Sequence, residues 1–281
     1  MKKIGVIGAG IMGQGVAYQF AKYNFQVTLV DISEEVLADA RGKIRNIGRL
    51  DMMLNRDKTH QNPNALENIT FSSKLEDLAS ADFIVENIIE NLDEKIKVYN
   101  KLHHIIQDHT RVAVNTSCIS ITKIGSLMKN AENILGIHFM NPVHMRPTVE
   151  VIRGTYTTEE SIQIALGFLG DVDMKGIVVN DSPGFVSNRV LMLTVNEAIF
   201  TLQDGVATAT DIDRIHKECF GHTMGPLETA DLIGLDTILF SVEVLYNSFN
   251  DSKYRPAPLL KKMVDAGKLG RKSGEGFFKY N

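Results

Sequence analysis

The sequence has few cysteines and no excess of basic residues, and each shortage excludes a class of protein. The 281 residues include two cysteines, Cys118 and Cys219, which lie far apart and without metal-type spacing. This usage fits a reducing compartment and predicts no metal site. The formal net charge of −4 argues against a nucleic-acid partner. No apolar run approaches the roughly 20 residues of a membrane span, so we expect a cytoplasmic protein without a membrane partner.

What the sequence does contain, at residues 3–31, is the pattern of a dinucleotide-binding turn. An apolar strand leads into a glycine-rich turn, an apolar helix follows, and a second strand ends in Asp31. This order of strand, turn, helix, strand and acid is more specific than the glycine spacing alone. The residues of the turn are Gly8, Ala9, Gly10, Ile11, Met12 and Gly13.

Each feature of this turn has a physical reason in binding a dinucleotide. Gly8 lets the strand turn sharply, Gly10 lets the backbone approach a pyrophosphate, and Gly13 lets helix and strand pack closely. The helix N-terminus offers N–H groups to the phosphates. Asp31 can accept a hydrogen bond from a ribose 2′-hydroxyl and would repel a 2′-phosphate. The pattern therefore predicts NAD rather than NADP; the alternative is a glycine-rich turn in another kind of α/β protein.

The order of predicted elements indicates two domains. Strands alternate with helices as far as residue 183, which is typical of an open, doubly wound, mostly parallel sheet of the Rossmann-like α/β class. The connection after Asp31 is longer than a parallel crossover needs, so a helical arm is predicted near residues 33–68. From residue 184 to 281 the periodicity is all-helical. The helices predicted there cover residues 185–202, 210–219, 227–249 and 257–266.

Polar side chains at the carboxyl ends of predicted strands indicate acid–base chemistry. Ser117 follows one such strand and His138 ends the next, so both are expected to face the ligand cleft. Glu150 lies between two valines in a returning strand, where a buried carboxylate needs a partner. Pairing Glu150 with His138 would fix the imidazole tautomer and stabilise its protonated form. A catalytic His–Glu pair is predicted; the alternative is a histidine that only satisfies a hydrogen bond.

Three further polar residues are candidates with simpler alternatives. Asn188 begins the first predicted helix of the second domain, where its amide could reach a substrate or serve only the helix start. Arg146, in a loop bounded by prolines, could contact an anionic substrate group or be a solvated loop charge. His144 in the same loop is a rival base, but a loop positions a base less well than a strand end does.

With these residues in place, the chain resembles the L-3-hydroxyacyl-CoA dehydrogenase family, in particular its short bacterial 3-hydroxybutyryl-CoA dehydrogenases. The similar segments run through nearly the whole chain with consistent spacing, which is more specific than the glycine turn alone. They are residues 8–13, 85–92, 115–117, 136–142, 149–152, 182–189, 224–227, 230–236 and 270–277.

The resemblance implies an NAD-dependent dehydrogenase of short 3-hydroxyacyl thioesters, as in fatty acid metabolism. His138 would take the proton of the 3-hydroxyl group, and Glu150 would orient the imidazole. Ser117 and Asn188 would hydrogen-bond the substrate oxygens. The resemblance also implies a homodimer formed by the helical domain. Residues implied at the cofactor are Glu90, Lys95, Asn115 and Lys272, and Asn141 and Arg146 are expected at the substrate.

Two departures from the family leave the carrier of the acyl group open. Residues 144–148 read His-Met-Arg-Pro-Thr where relatives have an apolar run and a lysine, and the arm has Ile47 and Met52 to Leu54 where relatives have small polar and lysine residues that grip coenzyme A. The basic residues left on the arm are Arg45, Arg49, Arg56 and Lys58. One alternative is therefore the same chemistry on an acyl-carrier-protein thioester, as in hydroxymalonyl-type polyketide extender-unit pathways. A second is a non-catalytic NAD-binding structural protein.

Overall fold

A computed structural model of the protein describes residues 2–54, 62 and 64–280. The chain divides into two compact units, Met1–Asp181 and Ser182–Asn281, beside the boundary predicted near residue 183. Part of the predicted arm, including Arg56 and Lys58, lies outside the described residues.

The first unit is built on one eight-stranded sheet. Its strands are β1 Lys3–Ile7, β2 Gln26–Val30, β3 Ile69–Ser72, β4 Phe83–Glu86, β5 Arg111–Val114, β6 Ile134–His138, β7 Thr148–Arg153 and β8 Lys175–Asn180. Their order is β3-β2-β1-β4-β5-β6-β7-β8. The pairings are parallel except between β6 and β7, which are antiparallel. The predicted Rossmann-like, mostly parallel sheet is confirmed.

Helices connect these strands. They are α1 Ile11–Ala21, α2 Glu34–Leu54, α3 Leu92–Leu102, α4 Ile121–Gly125 and α5 Glu159–Gly170. The sequence predicts α3 and α4 to extend to residues 106 and 128, and both end earlier. The residues that follow each helix continue as turns in which N–H groups bond the carbonyl three residues back. Such tightened helix ends keep the helical periodicity of apolar residues. The sequence pattern therefore predicts helix ends that lie beyond the observed ones.

The position of β1 marks where a ligand is expected. Val6, Leu29, Val85 and Ala113, from four neighbouring strands, are fully buried, as is typical of parallel strands covered on both faces. β1 lies between β2 and β4, so the order of strands reverses at this point. In open α/β sheets, ligands bind at the carboxyl ends of the strands beside such a switch point.

The second unit is helical. Its helices are α6 Ser187–Gln203, α7 Ala209–Phe220, α8 Pro226–Ile233, α9 Leu235–Phe249 and α10 Pro258–Asp265. The prediction of one helix over residues 227–249 is wrong, because Gly234 separates α8 from α9 with a φ of 104°, which glycine adopts readily. The two helices are bent by 101°. Both pack apolar residues into the same core, among them Leu227 and Ile238, which hides the break in the sequence pattern.

No single helix in the described ranges is long and apolar enough to cross a membrane. The bent pair α8 and α9 passes the same test of length and composition when the two helices are taken together.

Candidate active site

The turn after β1 has the geometry that its glycines predict. Gly8 has a φ of 91°, and a Cβ on Gly13 would lie 1.8 Å from the carbonyl oxygen of Gly8. α1 therefore packs against the turn at a distance that only glycine allows. Gly10 is the N-cap of α1, and a Cβ at this residue would meet no protein atom within 4 Å. The turn is thus packed against the protein at Gly13 and open at Gly10.

Asp31 is bonded to this turn. Its Oδ2 accepts a hydrogen bond from the N–H of Ala9 at 2.8 Å, and its Oδ1 accepts one from the N–H of Ser33 at 3.0 Å. The carboxylate therefore helps to shape the glycine-rich turn as well as standing at the end of β2. Its contact with a ribose hydroxyl stays a prediction.

These residues fit a dinucleotide. The open backbone at Gly10 lies at the N-terminus of α1, and the first turn of α1 carries no acidic side chain that would repel a phosphate. Ile11 and Ile32, which follow Gly10 and Asp31, are 69% and 93% exposed, and Met12 is half-buried. The region thus combines N–H donors, a carboxylate and exposed apolar side chains.

Neighbouring antiparallel strands bring His138 and Glu150 together. The two residues are direct partners in the register of β6 and β7. Nδ1 of His138 lies 2.9 Å from Oε2 of Glu150, and the two side chains are only 9% and 10% exposed. A carboxylate at Nδ1 favours a proton on that nitrogen and so fixes the tautomer of the ring. The pairing of the two side chains predicted from the sequence is confirmed. It leaves Nε2, on the other side of the imidazole, directed away from Glu150.

Ser117 lies on that other side. Its Oγ is 3.3 Å from Nε2 of His138. Ser117 follows β5 and His138 ends β6, and these strands are parallel neighbours, so both residues lie at the carboxyl edge of the sheet. An imidazole between a hydroxyl and a carboxylate can take a proton from an alcohol or return one to a ketone oxygen.

Asn115 links the ends of three strands beneath these side chains. Its Nδ2 donates to Oδ1 of Asn87 at 2.8 Å, and its Oδ1 accepts from the N–H of Phe139 at 3.2 Å. Its own N–H donates to the carbonyl of Glu86 at 2.8 Å. Asn115 therefore joins the segment before Ser117 to the residue after His138. Its predicted contact with NAD stays a prediction.

Lys95 takes part in a buried ion pair. Its Nζ lies 2.7 Å and 2.9 Å from the carboxylate oxygens of Glu86, and both side chains are fully buried. Burial raises the pKa of Glu86 above its usual range, and the Lys95 ammonium opposes that rise. Nζ also donates to the carbonyl of Asn115 at 3.3 Å. The ammonium is thus directed into the protein, and its predicted contact with NAD stays a prediction.

Glu86 is a residue that the sequence reasoning missed. Glu86 has the same sequence feature that identified Glu150: it is a carboxylate within an apolar strand, where burial requires a partner. The partner could not be named from the sequence because Lys95 lies on the following helix, and its position depends on how α3 packs.

The loop between β6 and β7 separates its polar residues. Asn141 and Arg146 are exposed, and their predicted substrate contacts stay predictions. The ring of His144 lies edge-on to Tyr18, with 6.2 Å between ring centroids. His144 also lines a cleft of about 410 Å³ whose described lining residues include neither Ser117 nor Glu150. Burial lowers the pKa of His144.

Asn188 and Lys272 belong to the second unit. Asn188 lies in the first turn of α6, at the helix start that the sequence predicts. The Nζ of Lys272 forms an ion pair with the carboxylate of Asp236. The substrate contact of Asn188 and the cofactor contact of Lys272 stay predictions.

Two family models match the chain, one to each unit. The model described as "3-hydroxyacyl-CoA dehydrogenase, NAD binding domain" matches residues 3–182. The model described as "3-hydroxyacyl-CoA dehydrogenase, C-terminal domain" matches residues 184–280.

Relatives and solved structures match over the whole chain. A probable 3-hydroxybutyryl-CoA dehydrogenase of Deinococcus radiodurans is 44% identical over 280 residues, covering 99% of this chain and 100% of the relative. A 3-hydroxybutyryl-CoA dehydrogenase of Bradyrhizobium diazoefficiens is 40% identical, covering 100% and 96%. The crystal structure of (S)-3-hydroxybutyryl-CoA dehydrogenase from Ralstonia eutropha is similar with a TM-score of 0.94 and 37% identity, covering 100% and 99%.

Proposed function

Because the chain belongs to the 3-hydroxyacyl-CoA dehydrogenase family, we propose that it interconverts short L-3-hydroxyacyl and 3-oxoacyl thioesters of coenzyme A. The protein is an oxidoreductase that acts on a CH–OH group, and NAD is its cofactor. Relatives named as 3-hydroxybutyryl-CoA dehydrogenases support a four-carbon acyl group. The observation that carries the proposal is the line from Oγ of Ser117 through the imidazole of His138 to the carboxylate of Glu150.

The proposed mechanism uses each group of this line. Nε2 of His138 takes the proton of the 3-hydroxyl group as the C3–O bond becomes a carbonyl. The chemistry that NAD supplies when bound is acceptance of the hydride from C3. Glu150, 2.9 Å from Nδ1, stabilises the positive charge that the proton leaves on the ring. Ser117, with Oγ 3.3 Å from Nε2, holds the substrate oxygen beside the base. In the reverse direction the imidazolium returns the proton.

The direct test follows oxidation of NADH by the purified protein with acetoacetyl-CoA. We expect turnover on the order of 1–10³ s⁻¹, the usual range for enzymes, and its loss in a His138→Ala variant that still binds NADH. A protein that binds NADH but does not turn over acetoacetyl-CoA would contradict the proposed substrate. The same assay with an acetoacetyl acyl carrier protein would then show whether the substrate is carried by that protein instead of coenzyme A.

Asp31 is proposed to select NAD over NADP. We expect Asp31→Ala to weaken NADH binding by about 10-fold and to reduce the discrimination against NADPH, since the repulsion of a 2′-phosphate is lost. Because Asp31 also bonds the N–H of Ala9, Asp31→Asn is the second variant: its amide oxygen keeps an acceptor for that bond while the charge is removed. A ratio of NADH to NADPH affinity that is unchanged in both variants would contradict the ribose contact.

The remaining proposals concern the carrier of the acyl group, the oligomeric state and the cellular compartment. We propose coenzyme A as the carrier of the acyl group, because the relatives are named as 3-hydroxybutyryl-CoA dehydrogenases. The names of these relatives support neither the acyl-carrier-protein alternative nor the non-catalytic one. We also propose that residues 1–183 bind NAD and that the helical residues 184–281 bind substrate and form a homodimer. We expect the protein to be a cytoplasmic enzyme of fatty acid metabolism, and cell fractionation would check the compartment.

A further inference from the structure

The turn that carries Ser117 is gathered around one carboxylate oxygen. Oε1 of Glu90 accepts hydrogen bonds from the hydroxyl of Thr116 at 2.5 Å, the N–H of Ser117 at 2.9 Å and the N–H of Cys118 at 3.0 Å. The Cys118 thiol is also within 3.4 Å of this oxygen. Successive N–H groups that converge on one anion form a nest, which fixes the backbone of the turn.

The neighbouring bonds stiffen the same turn. Oγ1 of Thr116, while donating to Glu90, accepts from the N–H of Ile119 at 2.9 Å and from the N–H of Cys118 at 3.3 Å. Burial, followed by the charge of Glu90, raises the pKa of the Cys118 thiol. The thiol therefore stays protonated and can remain a donor to the carboxylate.

This turn lies outside the hydrogen-bond ladder of the sheet. β5 ends at Val114, and α4 begins at Ile121, so the ladder does not hold the N–H of Ser117. That N–H donates to Glu90, while the Oγ of the same residue lies 3.3 Å from Nε2 of His138. A displacement of the turn would change the distance from Oγ to Nε2, and displacements near 1 Å can lower turnover considerably.

We propose that Glu90 is a positioning residue for the reaction, acting through the backbone of Ser117 on the geometry between Ser117 and His138. This role rests on the proposed function and differs from the NAD contact that the family resemblance implies for Glu90. A contact with NAD requires the Glu90 charge to act on cofactor affinity. A positioning role requires only an acceptor at Oε1, and its loss affects turnover through Ser117.

The first test is a double-mutant cycle with Glu90→Ala, Ser117→Ala and both together, assayed with acetoacetyl-CoA and NADH. We expect Ser117→Ala to lower kcat by about 100-fold, as for removal of one donor at a reacting oxygen, and Glu90→Ala to lower it by about 10-fold. The double variant should be no slower than Ser117→Ala, because positioning has no effect once the hydroxyl is gone. Effects that multiply would overturn the proposal.

Two conservative variants sharpen the cycle. Glu90→Gln keeps an oxygen acceptor, so we expect kcat within about threefold of the wild type. A large rise in the KM for NADH with unchanged kcat, in either Glu90→Gln or Glu90→Ala, would assign Glu90 to the cofactor and overturn the positioning role. If Glu90→Ala does not fold, Glu90→Asp, shorter by one methylene, takes its place in the cycle with the same expected result.

Hydrogen exchange separates this inference from the proposed function. The amides of Ser117 and Cys118 should exchange at least 10-fold faster in Glu90→Ala than in the wild type, and at the wild-type rate in Glu90→Gln. Glu94→Ala is the matched control, since Glu94 is 45% exposed on α3 and pairs with Lys97. Unchanged exchange in Glu90→Ala would overturn the proposal, whereas absent turnover in the wild type with changed exchange would contradict only the assigned substrate.

Discussion

At the scale of single residues, the proposed chemistry depends on which nitrogen of His138 carries the proton. The Glu150 carboxylate at Nδ1 favours an Nδ1–H tautomer, in which Nε2 would act as the base toward the substrate hydroxyl in the proposed mechanism. The pair arises from register: His138 ends β6, and the antiparallel return of β7 sets Glu150 directly opposite.

Glu150→Gln tests this reading. An amide can leave the ring in the wrong tautomer and cannot stabilise the imidazolium, so we expect kcat to fall by about 10²–10⁴, with the KM for NADH within about twofold. Steady-state kinetics would measure both. Glu160→Gln, at a side chain that is 76% exposed, is the control and should retain wild-type turnover. Near-normal turnover in Glu150→Gln would remove Glu150 from the mechanism.

A second prediction at this scale concerns acid stability and His144. Burial lowers the pKa of His144, so the unfolded chain binds this proton more readily than the folded protein does. Stability therefore rises with pH and is lost as pH falls through the usual histidine range, near 6.5, toward the lowered value. We expect His144→Gln to lose less stability than the wild type between pH 7.5 and pH 5.

Urea unfolding across that pH range would measure the effect. His109→Gln, at an exposed histidine, is the matched control and should follow the wild type. If His144→Gln and the wild type had parallel pH profiles, His144 would not contribute to the acid sensitivity of the fold.

The pairing of His138 with Glu150 could be predicted because it depends on local strand patterns and on one rule about where parallel strands end. The partners of Glu90 and Lys95 could not be predicted in this way. Their hydrogen bonds depend on how the segment after β4 folds back toward the end of β5, which is a matter of packing that leaves no periodic signal in the sequence.

At the scale of elements, the contact between β4 and α3 rests on a buried ion pair. Glu86 ends β4, Lys95 lies on α3, and their fully buried side chains are 2.7 Å apart. A buried pair contributes little when compared with apolar residues, but removal of one partner leaves an uncompensated charge.

We therefore expect Lys95→Met to lower the free energy of unfolding by about 3–5 kcal/mol. Glu86→Gln/Lys95→Met should be more stable than Lys95→Met alone, because the buried charge is removed while an acceptor for the N–H of Ile88 is kept. Urea unfolding of the two variants at pH 7 would measure the difference. A double variant that is less stable than Lys95→Met would contradict the unpaired charge as the cause.

The elements also show where sequence patterns fail. The central strands and α1 could be predicted because burial on both faces of the sheet and the glycine turn give strong local patterns. The break between α8 and α9 could not, because a single glycine inside an apolar helical run is compatible with a continuous helix. The bend is fixed by packing around Gly234, where the N–H of Leu235 bonds the carbonyl of Leu269, far along the chain.

At the scale of the whole molecule, the helical unit has apolar side chains on its surface. Val190, Phe220, Leu232 and Phe240 are between 47% and 66% exposed. A surface that contacts another protein exposes a contiguous apolar patch in the separated chain. The family resemblance implies a homodimer through this unit, which a second copy of the chain would form by covering these residues.

We expect the protein to have a molar mass of about twice 31.2 kDa in solution, measured by light scattering during size-exclusion chromatography. Obligate homodimer interfaces bury roughly 2,000 Å² or more in total and are more hydrophobic than transient ones, so for a dimer of this class the mass should not change between about 2 and 50 µM. A molar mass near that of a single chain at the higher concentration would contradict the dimer.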